Sequence, residues 1–519
     1  MILRKIIENC KITDSMENNI LNAVDISGIS YNSRQIKHDW LFVAIRGEKF
    51  DGHNFIRDAI QKGAVAIVHE KQFNKEQIKS FNPLDSEQIP IVFIRVENSR
   101  KELACISNNF YGKPSEKLNL IGITGTNGKT TITYILKSIL ELWERKVGLI
   151  GTIQYMIGDD IFPAIHTTPE SPEFQHLLKD MLDAGCTHVI SEVSSHALAQ
   201  YRVDGAKFKA AVFTNLTRDH LDFHKTMENY FHAKRRLFVE LLSSDGAAII
   251  NIDDIFGKQL YSELLPVRWL SSTLNILTFG LQPGSDITAS KINFSYNGMN
   301  FLLQINDETI EIDTSLIGMF NVYNIMAAAG AAKSMNVPLN IIAEGINNTE
   351  IVPGRFEKID MGQDFLCIVD YAHTEDALER LIITARELLD FNASKNLLIS
   401  KKGGIITVFG CGGDRDKGKR PAMGRAATSL SDFVIITSDN PRTEDPLEII
   451  DDIEKGVVNK NYIIEPDREK AIIKAINMAK TGDIVLIAGK GHEDYQEIQG
   501  IKKHFSDKEI AKEAITKRF

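Results

Sequence analysis

"GITGTNGKTT", residues 122–131, follows the apolar run "LNLIGI" and leads directly into a helical pattern. Beyond it, Ile132, Ile135, Leu136, Ile139, Leu140 and Trp143 recur at i, i+3, i+4, i+7 spacing, the mark of a helix with one apolar face. Glycines without a Cβ let backbone N–H groups curl around a polyphosphate, and a helix N-terminus adds positive potential there. Gly125, Thr126, Asn127, Gly128, Lys129, Thr130 and Thr131 are the expected cradle. In it Lys129 reaches the β/γ-phosphates and the Thr130 hydroxyl reaches Mg²⁺. The strict G-x-x-x-x-G-K-[ST] pattern fails at one position, where Ile123 replaces the first glycine. A glycine turn with an incidental lysine accounts for the letters, but not for strand, loop and helix in that order. The stretch predicts a nucleotide site.

Outward from this loop, strand-like runs keep alternating with helical patterns, the signature of parallel α/β sheets. The middle of the chain offers "LNLIGIT", "THVISE", "FKAAVFT" and "AAIINI", and the last part "FLCIVD", "GIITVFG", "FVIIT" and "DIVLIAG". "LFVAI", "VAIVHE" and "IVFIRV" mark a smaller α/β unit at the start. Polar, Pro/Gly-marked joints at 108–119 and 347–360 divide the 519 residues into 1–113, 114–352 and 353–519. Three domains agree with the usual domain size. The expected fold class is α/β, with a P-loop ATPase-type parallel sheet in the centre and a Rossmann-like sheet at the end. "NASKNLLISKKGG" (392–404) reads as a surface connection.

Composition narrows the function classes. A net charge of −9 with no basic stripe argues against nucleic-acid binding. Apolar runs are strand-length and far short of the ~20 residues of a membrane span. Five scattered cysteines without a CxxC pair fit reduced thiols in a cytosolic protein. No signal peptide is visible in "MILRKIIENCKITD".

Ligands of open parallel sheets gather where the strands' carboxyl ends deliver their loops. Glu192 ends "THVISE" there, able to ligate Mg²⁺, to orient a reacting group, or simply to close a surface strand. His220 in "TNLTRDHLD" leaves the next strand the same way and is equally open between ligand and structural histidine. In "YFHAKRRLF" (230–238), Lys234 shares a helix face with Tyr230, Phe231, Leu237 and Phe238, while Arg235 and Arg236 point away. Apolar surroundings disfavour the ammonium and leave an amine able to take up carbon dioxide. The alternative is a packed stem with its amine in water.

Together these motifs resemble the Mur ligases, ATP-dependent amide-forming enzymes of peptidoglycan precursor synthesis. "TGTNGKTT", "SEVSSHALAQYRV", "TNLTRDHLDFH", "GMFNVYNIMAAAGAA", "VPGRFE", "DYAHTEDAL", "GCGGDRDKGKRP", "DNPR" and "GKGHEDYQ" occur in that family's order over nearly the whole chain. The resemblance implies a cytoplasmic, bacterial, monomeric enzyme with small-molecule substrates, ATP and Mg²⁺. It is similar to the member that adds the third stem-peptide residue, joining meso-2,6-diaminopimelate to the D-glutamate γ-carboxylate of UDP-MurNAc-L-Ala-D-Glu through an acyl phosphate.

Residue roles follow from the same resemblance. Ser33 would meet the UDP end, and Thr167, Thr168, Ser194, Gln200 and Arg202 the sugar–peptide portion. Glu192 and His220 match magnesium ligands, and Lys234 a carbamylated lysine (N6-carboxylysine) that binds metal with them and Thr130. Asn324, Arg355 and Asp370 match positions that close on the nucleotide. Asp439, Asn440, Pro441 and Arg442, with Arg415, Gly489 and Glu493, would select the incoming amino acid. A guanidinium grips the second carboxylate of diaminopimelate but repels the bare ammonium of lysine. Glu375, where the family commonly has proline, leaves the start of the next helix open. L-lysine addition, a folylpolyglutamate synthetase-like ligase and a non-enzymatic nucleotide switch are the competing expectations.

Overall fold

The structure, a computed structural model, describes residues 1–14, 18–47, 50–81, 91–270, 273–395 and 403–519. The middle of the expected connection at 392–404 lies outside the described residues. Its start does not: the helix Glu375–Lys395 runs on into it.

The N-terminal sheet holds β1 (Ile12–Asp14), β2 (Gly28–Ser30), β3 (Trp40–Val43), β4 (Ala64–His69) and β5 (Val92–Val96), in the order β1-β5-β4-β3-β2. All its pairings are parallel except β1 with β5. The β-branched runs of β4 and β5 are buried on both faces, which is why they read as unbroken apolar stretches rather than alternating ones.

The central sheet contains β6 (Asn119–Thr124), β7 (Val147–Ile150), β8 (Gln154–Ile157), β9 (Asp160–Pro163), β10 (His188–Glu192), β11 (Phe208–Phe213), β12 (Leu242–Asn251), β13 (Asn275–Phe279), β14 (Ile287–Ser295), β15 (Gly298–Ile305) and β16 (Glu308–Thr314). Their order is β16-β15-β14-β13-β12-β11-β6-β10-β7-β8-β9. The four strands expected here, β6, β10, β11 and β12, are the inner ones. Antiparallel additions flank them: β8 and β9 turn at Gly158, and β14, β15 and β16 form a meander. In the meander the sequences tend to alternate apolar and polar residues, as half-solvated strands do, whereas β9 is exposed throughout. In β15 the burial alternates accordingly, with Met299, Phe301, Leu303 and Ile305 inside.

The last sheet comprises β17 (Glu357–Ile359), β18 (Leu366–Asp370), β19 (Ile405–Phe409), β20 (Phe433–Ile436), β21 (Tyr462–Ile464) and β22 (Ile484–Ala488), ordered β17-β18-β22-β19-β20-β21. It is parallel except for β17. A two-stranded hairpin, β23 (Tyr495–Ile498) and β24 (Ile501–His504), follows it. Under this sheet Arg468 and Asp507, both 0% exposed, form a two-pronged ion pair at 2.8 and 2.6 Å. The same guanidinium donates to the carbonyls of Ser438 and Ala488.

The chain separates into two compact units. The first holds Met1–Gly122, Arg145–Ala211 and Ala233–Gly246; the second holds Ile123–Glu144, Val212–His232 and Ala247–Phe519. Among the described residues, no helix is long and apolar enough to cross a membrane.

Candidate active site

In the second unit the phosphate loop joins the end of β6 to the helix Lys129–Leu142. Gly125 and Gly128 have φ of +148° and +90°, a region L side chains avoid. A Cβ at Gly125 would stand 1.8 Å from Oγ1 of Thr214, and one at Gly128 2.3 Å from Oδ1 of Asn324. Both positions therefore require glycine. The loop is held from behind by residues that sequence reasoning missed. Thr214 donates its hydroxyl to the Asn127 carbonyl at 2.6 Å, and Oδ1 of Asn215 accepts the Asn127 N–H at 3.0 Å. Oγ1 of Thr126 accepts the N–H of Thr217 at 3.0 Å. Lys129 lies along the loop, donating to the carbonyls of Gly125 and Thr126 at 3.0 and 2.8 Å.

Residues after 353 reach this loop within the same unit. The amide of Asn127 donates to Asp376 at 2.9 Å, and Nη2 of Arg355 donates to the Thr130 hydroxyl at 3.2 Å. Arg355 stacks on Tyr371 at 4.5 Å, and its Nε is buried with no hydrogen-bond partner. A buried donor left unsatisfied costs about 1–3 kcal/mol, so this atom fits an anionic oxygen brought by a ligand. Asp370 behaves differently from the other expected nucleotide contacts. Its two oxygens accept the backbone N–H groups of Phe356 and Ala372 at 2.6 and 2.7 Å, locking the "VPGRF" turn. Burial raises its carboxyl above the usual range, opposed by Arg355.

His220 has φ +55° and lies 3.3 Å from Asp219, which is also 3.8 Å from Lys419 and 3.9 Å from His373. Burial works against the Asp219 charge, yet His220, Lys419 and His373 hold the carboxyl well below the usual range. Asp219 and Lys419 sit inside "TNLTRDHLD" and "GCGGDRDKGKRP", so the motifs carried them although neither was singled out.

The first unit assembles a second set. Glu192, 1% exposed, accepts the N–H and the hydroxyl of Thr152 at 2.8 and 2.9 Å. Thr167 meets the Thr152 hydroxyl at 3.1 Å, and Thr168 donates to the Glu192 carbonyl at 2.8 Å. Ser194 caps the helix Ser195–Ala199 by accepting the N–H of Ala197. Arg202 donates to Gln200, to the Thr168 carbonyl and to Glu170, so Gln200 and Glu170 fix its fork. Ser33 follows β2, and its carbonyl accepts from Lys62 at 3.2 Å. Lys234, 1% exposed, lies in the last turn of the helix Met227–Arg236, ahead of the wider π-helical turn Leu237–Leu241. Arg236 leaves the apolar face as expected, but it reaches Asp204 at 2.7 Å and the ring of Tyr201 rather than water.

The loops of the last sheet expected to select the amino acid also fall in the second unit. Arg442, with φ +53°, donates Nη1 to the Gly413 carbonyl at 2.6 Å and pairs with Glu497 at 3.6 Å. Gly412 lies between the two arginines: a Cβ there would be 2.9 Å from Nη1 of Arg442 and 3.9 Å from Cγ of Arg415. Asp439 and Asn440 are buried, and Asn440 joins Glu493 at 2.8 Å and Lys490 at 3.0 Å. Lys490, 0% exposed, also lies 3.3 Å from Glu493 and 3.8 Å from Asp439. Burial raises the Glu493 carboxyl, as does the Asp439 charge. Pro441 is buried and Gly489 takes φ +120° beside Asp439.

Three family models match in sequence order: the Mur ligase family catalytic domain over residues 25–111, the Mur ligase middle domain over 123–332, and the Mur ligase glutamate ligase domain over 354–491. The UDP-N-acetylmuramoyl-L-alanyl-D-glutamate--2,6-diaminopimelate ligase of Clostridium tetani is 44% identical, covering 97% of this chain and 98% of its own. A solved structure of a ligase with that name is 31% identical with a TM-score of 0.67, covering 100% and 99% of the two chains. The MurF ligase of Thermotoga maritima in complex with ADP shares the fold at a TM-score of 0.62 and 20% identity, covering 97% and 100%. With glycine cradle, buried Glu192 and Lys234, and matches from residue 25 to 491, the chain belongs to the Mur ligase family.

Proposed function

We propose that this chain joins meso-2,6-diaminopimelate to the D-glutamate γ-carboxylate of UDP-MurNAc-L-Ala-D-Glu, consuming ATP in peptidoglycan precursor synthesis. A carboxylate is a poor electrophile because resonance and charge repel an incoming amine. Transfer of the γ-phosphoryl group of ATP gives an acyl phosphate, which the amine then attacks to release phosphate. Lys129 and the loop N–H groups offset charge on the phosphoryl oxygens, and Arg355 offers its buried Nε to the same anion. Gln200 and Glu170 hold the Arg202 fork for the dipeptide's carboxylates, with Thr167, Thr168 and Ser194 beside it, and Ser33 serves the UDP end.

Each unit by itself carries donors of the kind a magnesium ion takes: the Thr130 hydroxyl, with the softer imidazole of His220, in the second, and the buried carboxylate of Glu192 in the first. Each set would hold Mg²⁺ in its own unit, Glu192 together with a carboxylate that Lys234 gains by carbamylation. When bound, Mg²⁺ neutralises the transferring phosphoryl group.

The amino-acid assignment is carried by Arg442, whose left-handed backbone and bond to Gly413 aim a guanidinium at the edge of the last sheet. A second carboxylate suits it; the bare ammonium of lysine does not. Phosphate release with ATP and UDP-muramyl dipeptide, measured across a panel of amino acids, tests this. Strong turnover with meso-diaminopimelate and little with L-lysine is expected. Equal turnover with lysine, or release without any amino acid, overturns it.

A further inference from the structure

Away from this chemistry, in the N-terminal part of the first unit, three side chains distant in sequence converge. Cys10 lies in the turn that leads to β1, and Glu102 and Cys105 lie on the helix Ser99–Phe110. Their ligand atoms all lie within 4.8 Å of one another. Both cysteines are free and partly buried, while Glu102 is 4% exposed. The surroundings hold this trio in place. The N–H of Lys11 donates to Oε2 of Glu102 at 3.0 Å, and the thiol of Cys105 reaches the Glu8 carbonyl at 3.5 Å. The amide of Asn109 donates to the carbonyls of Ile6 and Glu8 and approaches Sγ of Cys105 at 3.8 Å, tying the Cys10 turn to the helix. Both thiols are partly open to solvent, so an ion can reach them.

We propose that Cys10, Glu102 and Cys105 form a binding site for a thiophilic divalent cation such as Zn²⁺. Two soft sulfurs and one carboxylate are a ligand set for zinc rather than magnesium. Zn–S bonds of about 2.3 Å in a tetrahedral site set the two sulfurs about 3.8 Å apart, so ligand atoms within 4.8 Å need only a small contraction. Both thiols lose their protons as the ion binds. Three protein ligands leave a fourth position for water, as in exchangeable sites and unlike closed structural ones. The bound ion would clamp the Cys10 turn to the helix Ser99–Phe110.

The test uses the full chain, reduced, stripped with a chelator and kept in excess Mg²⁺, titrated with Co²⁺ as the probe. One sulfur-to-cobalt charge-transfer band saturating at one ion per chain is expected, bleached by Zn²⁺. It disappears in Cys10→Ser and in Cys105→Ser, and Glu102→Gln weakens binding about tenfold, some 1.4 kcal/mol. A second measurement needs no variant: Zn²⁺ should shield Cys10 and Cys105 from alkylation, mapped by peptide mass spectrometry, and leave Cys186, Cys367 and Cys411 unchanged. No band, a band that survives both serine substitutions, or equal alkylation with and without Zn²⁺ overturns the site.

Discussion

In the proposed reaction Arg442 is the side chain that would separate two amino acids differing by one carboxylate. Arg442→Ala is expected to lose roughly 2–5 kcal/mol of diaminopimelate recognition, the range for truncating one member of a hydrogen-bonded charge pair. The measurement is kcat/KM for diaminopimelate, which should fall while KM for ATP stays within a few-fold. Glu444 makes a different kind of contribution. It accepts from the buried Arg420 at 2.9 and 3.0 Å, and that bond holds its carboxyl down to about 2. A carboxyl lowered from 4.5 stabilises the fold fully above its unfolded value and loses that effect as pH falls towards 2. Glu444→Gln should therefore cost roughly 1.5–3 kcal/mol at neutral pH, the range for hydrogen bonds to charged groups. The urea midpoints of variant and parent should converge as pH drops from 4.5 to about 2. Arg442 stands out in the sequence because "DNPR" is a compact local motif with its one cation directly after a proline. Lys490 was not singled out, since the partners that bury it, Asn440 and Asp439, lie about fifty residues away.

The helix Met227–Arg236 turns the Lys234 amine inward by its spacing. Lys234 follows Tyr230 by four residues, so both fall on the buried face, and Arg236 anchors the end on Asp204. If the buried lysine works as a carbamate, activity should fall several-fold in bicarbonate-depleted buffer and return when bicarbonate is added. Lys234→Arg should be inactive under both conditions. Activity independent of bicarbonate removes that role. The helix Glu375–Lys395 resolves the uncertainty left by the missing proline. It starts at Glu375 itself, because Thr374 accepts the N–H of Ala377 at 3.3 Å and supplies the cap. Strands flanked by glycine were easy to read in the sequence, and β6, β10, β11 and β12 are all found where "LNLIGIT", "THVISE", "FKAAVFT" and "AAIINI" pointed. The β14–β16 meander is hard to read because one-sided burial gives a weak alternation, and the β8–β9 hairpin because its four-residue strands show no alternation and β9 buries nothing.

Over the molecule as a whole, chemistry depends on segments that are far apart along the chain. Asn127 in the phosphate loop is joined to Asp376, and Thr130 to Arg355, each across more than two hundred residues. Asn127→Ala should raise KM for ATP several-fold and, because its partner belongs to the part that carries the recognition loops, also lower kcat/KM for the amino acid. An effect on ATP alone would show that the Asp376 contact carries no coupling. Such pairings are invisible to local patterns: the family resemblance brings Arg355 to the nucleotide but gives no sign of Asp376. The Arg468–Asp507 pair has a further consequence for descent. Each side chain is sealed from water, so replacing one strands the other as a lone interior charge, a loss of about 3–5 kcal/mol. Lineages can leave this arrangement only by changing both positions together. Because Arg468 also holds the carbonyls of Ser438 and Ala488, such a double step would loosen the roots of "DNPR" and "GKGHE". The two positions should covary across relatives, and substrate preference should drift where they do.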